Sequence, residues 1–169
     1  MRVNGSTQAP PTLKEILVPV DFSPRSCKAL EYAVAFADQF GSRITLIHVV
    51  EPVVAPEFTA LLVGERDQAM KTARGQLYLL CKHQEIPRRL IGGTLVRYGA
   101  PVQEISEAAR GLKADLMIIG THGYSGLKHA LIGSTTEHVV RHAPCPVLVV
   151  REREHDFLAP QPTARPNRE

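Results

Sequence analysis

The stretch Ile16 to Val50, ILVPVDFSPRSCKALEYAVAFADQFGSRITLIHVV, reads as strand, helix and strand in succession. Ile16 to Val20 is a continuous apolar run ending at Asp21, as a strand buried on both faces would read. Ser23 then stands where an N-cap belongs, and Pro24 takes the first helical position, where its missing N–H breaks no hydrogen bond. Ala29, Leu30, Ala33, Ala37 and Phe40 recur at helical spacing, and Gly41 sits at the place of a C-cap. Arg43 to Val50 is the second strand.

Outward from this unit the alternation continues. Glu51 to Pro56 is a proline-punctuated connection. About Thr59 to His83 reads as a long helix with Ala69, Ala73, Leu77 and Leu80 on one face. A third strand is expected near Gly93 to Tyr98. The helix after it, about Pro101 to Leu112, turns Val102, Ile105, Ala109 and Leu112 inward. Asp115 to Gly120 is the fourth strand, about Ser134 to Arg141 the fourth helix, and Pro146 to Val150 the fifth strand. Alternating strand and helix predicts an α/β fold, with a parallel sheet covered by helices on both faces. Ligands in such sheets bind at the carboxyl ends of the strands, where the strand order reverses.

A chain of 169 residues suits one domain. That domain is expected over 13–151, between polar, proline-bearing tails at 1–12 and 152–169 that are expected to be flexible. No internal repeat is present. Lys and Arg number 20 against 17 Asp and Glu, a surplus of 3 that does not suggest nucleic acid as a partner. Aromatic residues are 5% and Trp is absent, which also argues against a stacking platform for single strands. The three cysteines, Cys27, Cys81 and Cys145, lie far apart and lack the short spacings of zinc or redox motifs, as suits thiols in a reducing compartment. The first residues carry no apolar signal region, and no apolar run approaches the roughly 18 residues of a membrane span. A soluble, cytoplasmic protein is therefore expected, with no membrane partner.

Chemistry concentrates after the fourth strand, in Gly120-Thr121-His122-Gly123-Tyr124-Ser125-Gly126, with nine residues separating Gly123 from Gly133-Ser134. Glycines let backbone N–H groups approach a phosphate, and the helix start at Ser134, Thr135 and Thr136 offers free N–H groups, a favourable dipole and hydroxyls. The same residues admit a plainer reading. Ser134 to Glu137 also spells a capping box, and loop glycines can serve only to turn the chain. Neither a Walker A loop nor a GxGxxG fingerprint after the first strand is present. His138 and His142 stand four apart on a helix but have no third ligand in view, so they read as solvent-facing. His48 reads as a satisfied strand-end histidine, and Cys145, between two prolines, as structural.

The spacing G-x2-G-x9-G-[ST], filled by Gly120, Gly123, Gly133 and Ser134, resembles the nucleotide-binding signature of the universal stress protein family. KEILVPVDFSPRSCKAL, TLIHVVEP and ADLMIIGTHGYSGLKHALIGSTTEHVVRHAPCPVLVV are similar, in order, to its first strand and helix, its second strand and its C-terminal signature. The resemblance implies a Rossmann-like sheet of five strands in the order 3-2-1-4-5 and an ATP site. Pro19, Val20, Asp21 and Val49 would frame the adenine. Ile119, Gly120, His122 and Gly123 would meet ribose and phosphates. Gly133, Ser134, Thr135 and Thr136 would hold the phosphate chain, with Mg²⁺ bound through the phosphates rather than by protein ligands alone. Many ATP-binding members carry a basic residue where this chain has Tyr124, and Lys128 and His129 are the nearest sources of positive charge.

Asp21 has three readings: a metal or base role, adenine recognition, or a hydrogen bond to the following turn. No P-loop lysine or arginine finger is evident, so a nucleotide-binding stress-response sensor or regulator with slow or no turnover is expected. Its rivals are an interaction protein of the same fold without nucleotide, and a slow ATPase or autokinase. The implied order leaves the fifth strand at an edge, and a homodimer through 146–150 would cover it.

Overall fold

The computed structural model describes residues 12–52, 62–121, 133–151 and 158. Each predicted element is there, with small shifts at the ends. The strands are β1 (Glu15–Pro19), β2 (Arg43–Val50), β3 (Ile91–Tyr98), β4 (Leu116–Gly120) and β5 (Val147–Val150). The helices are α1 (Pro24–Phe40), α2 (Leu62–His83, the start of the predicted helix lying outside the described residues), α3 (Pro101–Leu112) and α4 (Ser134–His142). All strand pairs are parallel and the order is β3-β2-β1-β4-β5. The switch in winding direction therefore falls between β1 and β4.

Period-two alternation sorts the strands between two cores. Ile16, Val18, Val20, Ile44, Leu46 and Ile118 pack under α1 and α2, with Ala29, Leu30, Ala33 and Leu77. Leu17, Ile47, Met117 and Ile119 pack under α3 and α4, with Ile105, Ala109 and Val139. Leu158, in the predicted C-terminal tail, is half-buried against the α1 side.

Local chemistry explains the first helix. The Ser23 hydroxyl accepts from the Ser26 N–H at 3.2 Å, Pro24 follows, and Gly41 closes α1 in the left-handed region at φ 67°. A cap of this kind is worth about 1 kcal/mol. Strand β3 begins at Ile91, ahead of the predicted Gly93. Ile91 pairs with Ile44 and Gly93 with Thr45, so Gly92 is the extra residue of a bulge.

At α4 the capping-box reading fails. The N-cap is Gly133, no side chain among the described residues caps the helix, and Ser134 is its first helical residue. Glu137 pairs with Arg141 at 2.9 Å instead of reaching back. The cause is tertiary: the Gly133 N–H donates to Thr121 O at 2.6 Å, which fixes where the chain enters the helix.

Candidate functional site

Every helix of a right-handed βαβ unit starts where its strand ends, so the helix N-termini gather at the carboxyl edge of the sheet. Here they enclose a cavity of about 370 Å³. The end of β1 contributes Pro19, Val20 and Asp21, and the end of β2 contributes Ile47, His48, Val49 and Glu51. Ile119 and Gly120 come from β4, Pro101 and Ile105 from the first turns of α3, Ser26 from α1, and Thr135 and Thr136 from α4. One part of the lining is apolar, and the α4 side offers hydroxyls and backbone.

Of the residues expected from sequence, Pro19, Val20, Asp21, Val49, Ile119, Gly120, Thr135 and Thr136 line this one cavity. Gly133 and Ser134 do not line it, although they open the helix that does. His122 and Gly123 lie outside the described residues, as do Tyr124, Lys128 and His129. Ser26, Ile47, His48, Glu51, Pro101 and Ile105 were not expected as lining. Proline at the start of the helix after β3 was the available signal for Pro101, because that position must fall at the carboxyl edge.

The polar groups of the site are held in defined ways. Asp21 Oδ1 accepts the Ser23 N–H at 3.0 Å, so one carboxylate oxygen is committed to the turn into α1. His48 Nδ1 lies 2.8 Å from Val20 O; a carbonyl only accepts, so Nδ1 carries the proton. The His48 ring also packs on Phe22, with centroids 4.5 Å apart, and Phe22 itself holds φ 64°. These contacts tie the ends of β1 and β2 together across the cavity wall.

Two assignments change meaning. The buried Thr136 hydroxyl donates to Gly120 O at 2.9 Å, so its hydrogen anchors α4 to β4 instead of pointing at a ligand. A Cβ added to Gly120 would lie 2.8 Å from Arg25 O and 2.9 Å from Arg25 C. Glycine is needed there because the first turn of α1 passes against β4, whether or not a ligand approaches.

Outside the cavity, the rings of His138 and His142 each place Nδ1 against the carbonyl four residues earlier, at 2.7 and 2.8 Å, and both are exposed. Among the described residues no group of three His, Cys, Asp or Glu is placed to hold a metal ion. All three cysteines are unpaired and half-buried. Burial pushes each thiol up, and nearby carboxylates (Asp21 and Glu31 at Cys27, Asp115 at Cys145) push two of them further, the opposite of an activated thiolate. No described helix is long and apolar enough to cross a membrane.

Residues 12–151 match the family model described as the universal stress protein family. A universal stress protein of Thermus aquaticus is 34% identical over 142 residues, spanning 82% of this chain and 98% of that protein. Among solved structures, the universal stress protein UspA from Lactobacillus plantarum superposes with a TM-score of 0.74 at 28% identity, over 83% of this chain and 99% of the other. A universal stress protein in complex with cAMP shares the fold, with a TM-score of 0.62 at 21% identity over 85% of this chain and 100% of the other.

Proposed function

The chain belongs to the universal stress protein family, and on that premise we propose that its carboxyl-edge cavity binds ATP or a related adenine nucleotide. One observation carries the reading. An apolar part of the lining shares one cavity with a helix start whose first N–H groups no side chain caps among the described residues. The base then lies among Val20, Ile47, Val49, Pro101 and Ile105. The phosphates run past Gly120 toward Gly133, Ser134, Thr135 and the α4 dipole. His122 and Gly123 complete the phosphate loop, and Thr136 positions the helix. Mg²⁺ enters with the phosphates, whose charge it offsets.

Within this reading residues 13–151 form the nucleotide-binding domain, and the protein is a cytoplasmic stress-response sensor or regulator with slow or no turnover. It pairs as a homodimer through 146–150. Support for pairing comes from β5, which sits at the sheet edge with Val147, Leu148 and Val149 only half-buried. Light scattering is expected to give twice the 18.6 kDa of one chain, and a monomer overturns the pairing.

Calorimetric titration with ATP and Mg²⁺ tests the site. Saturable binding is expected for the native chain and none for Gly123→Val, whose branched side chain would occupy space the phosphates need. A native chain that ignores ATP, or a variant that binds equally well, overturns the assignment.

A further inference from the structure

Among the described residues the cavity holds two carboxylates, and they differ. Asp21 is engaged by the Ser23 N–H. Glu51, immediately after β2, lines the same cavity and carries no hydrogen bond or ion pair among the described residues. In the sheet order, β2 is separated from β4 by β1, so the end of β2 stands about 10 Å from the Gly120 end of the site. A polyphosphate at α4 therefore leaves Glu51 facing the opposite end of the ligand, the base.

A carboxylate at neutral pH only accepts hydrogen bonds. Placed at the base end, it favours a base that presents an N–H donor. The exocyclic amine of adenine is such a donor.

We propose that Glu51 is a specificity-determining residue of the nucleotide site, its carboxylate accepting from the exocyclic amine of the base. This rests on the nucleotide reading of the cavity and adds which end of the ligand is selected, and by what. The cost is electrostatic. A second carboxylate in a cavity that takes a polyphosphate weakens overall affinity, so the residue trades binding strength for choice of base.

The test compares ATP with purine riboside 5′-triphosphate, which lacks only the amine, by calorimetry in the presence of Mg²⁺. A hydrogen bond to a charged acceptor makes the native chain prefer ATP by at least about tenfold. Glu51 is exposed, so Glu51→Ala leaves the core intact. That variant is expected to bind both ligands within about twofold. Glu51→Gln, which keeps a neutral acceptor, restores part of the preference. Removing the charge raises affinity for both ligands together, so the ratio of dissociation constants is the readout. A preference that survives Glu51→Ala assigns the amine to another group, Asp21 foremost, and overturns the proposal. Equal binding of both ligands by the native chain overturns it while leaving the nucleotide reading standing. Binding of neither removes both.

Discussion

At the amino end of the sheet, Asp115 Oδ2 accepts the N–H groups of Lys14 at 2.8 Å and Glu15 at 2.9 Å, while the Ser42 hydroxyl donates to Leu13 O at 2.7 Å. Buried Glu15 accepts from Thr45 and lies 3.7 Å from Arg43. The polar groups there close on one another. At the carboxyl end, among the described residues, α4 starts without a side-chain cap, Glu51 has no partner, and the strand ends line a cavity. Both ends terminate the same five strands. Among the described residues a satisfied polar cluster seals one end, while the other keeps polar groups that a ligand could satisfy.

Three substitutions break or sharpen that contrast. Gly120→Ala has the largest expected effect, because the new Cβ meets α1 backbone at 2.8 Å and neither element can yield cheaply. A loss of about 2–3 kcal/mol is expected, or roughly 6–10 °C in melting temperature. Calorimetric melting that shows no loss would mean that glycine is there for the ligand after all.

Thr136→Val comes next. It keeps the shape but leaves Gly120 O without the hydroxyl that now bonds it, at a cost of about 1–2 kcal/mol. ATP affinity is expected to fall severalfold as the start of α4 loses its anchor. Urea unfolding separates the two effects, and an affinity loss with full stability would make Thr136 a ligand donor instead.

Asp115→Asn, at the sealed end, is the smallest. The Glu15 and then the Lys14 N–H groups hold the Asp115 carboxyl below the usual carboxylate range. A depressed folded value means the stabilisation is fully present above the unfolded pKa of about 3.9 and is lost as pH falls through the folded value. The side chain is exposed, so solvent screening limits the effect to under about 1 kcal/mol at pH 7. Native and variant stabilities are expected to converge in strong acid, with ATP affinity equal throughout. A gap that persists in acid would show that the carboxylate charge is not the cause.

The fold was legible because its signals are local. Ser23, Pro24 and Gly41 mark α1 by chemistry that acts within one turn, and the apolar runs of β1 and β2 reflect burial on both faces. What was not legible depends on parts of the chain far apart in sequence. Ser134 has the residue type of a cap, yet the bond from Gly133 to Thr121 moves the cap back one residue. Gly120 was read for a ligand, while the atoms that require it belong to Arg25, nearly a hundred residues earlier. Topology placed the site at the carboxyl edge, since strand ends must gather there, while the particular residues, Pro19 to Asp21, Val49, Ile119 and Gly120, came from the family resemblance. Ile105 and Glu51 were missed because no local pattern distinguishes a helix residue or a linker carboxylate that lines a cavity from one that faces water.

The most direct measurement is a backbone amide NMR titration of the chain with ATP and Mg²⁺, which reports binding and its place together. Saturable shifts are expected at Val20, Asp21, Val49, Gly120, Thr135 and Thr136, with the Lys14, Glu15 and Asp115 amides unmoved. A spectrum that ATP leaves unchanged, or shifts centred on the amino end, would contradict the assignment of the carboxyl-edge cavity as a nucleotide site.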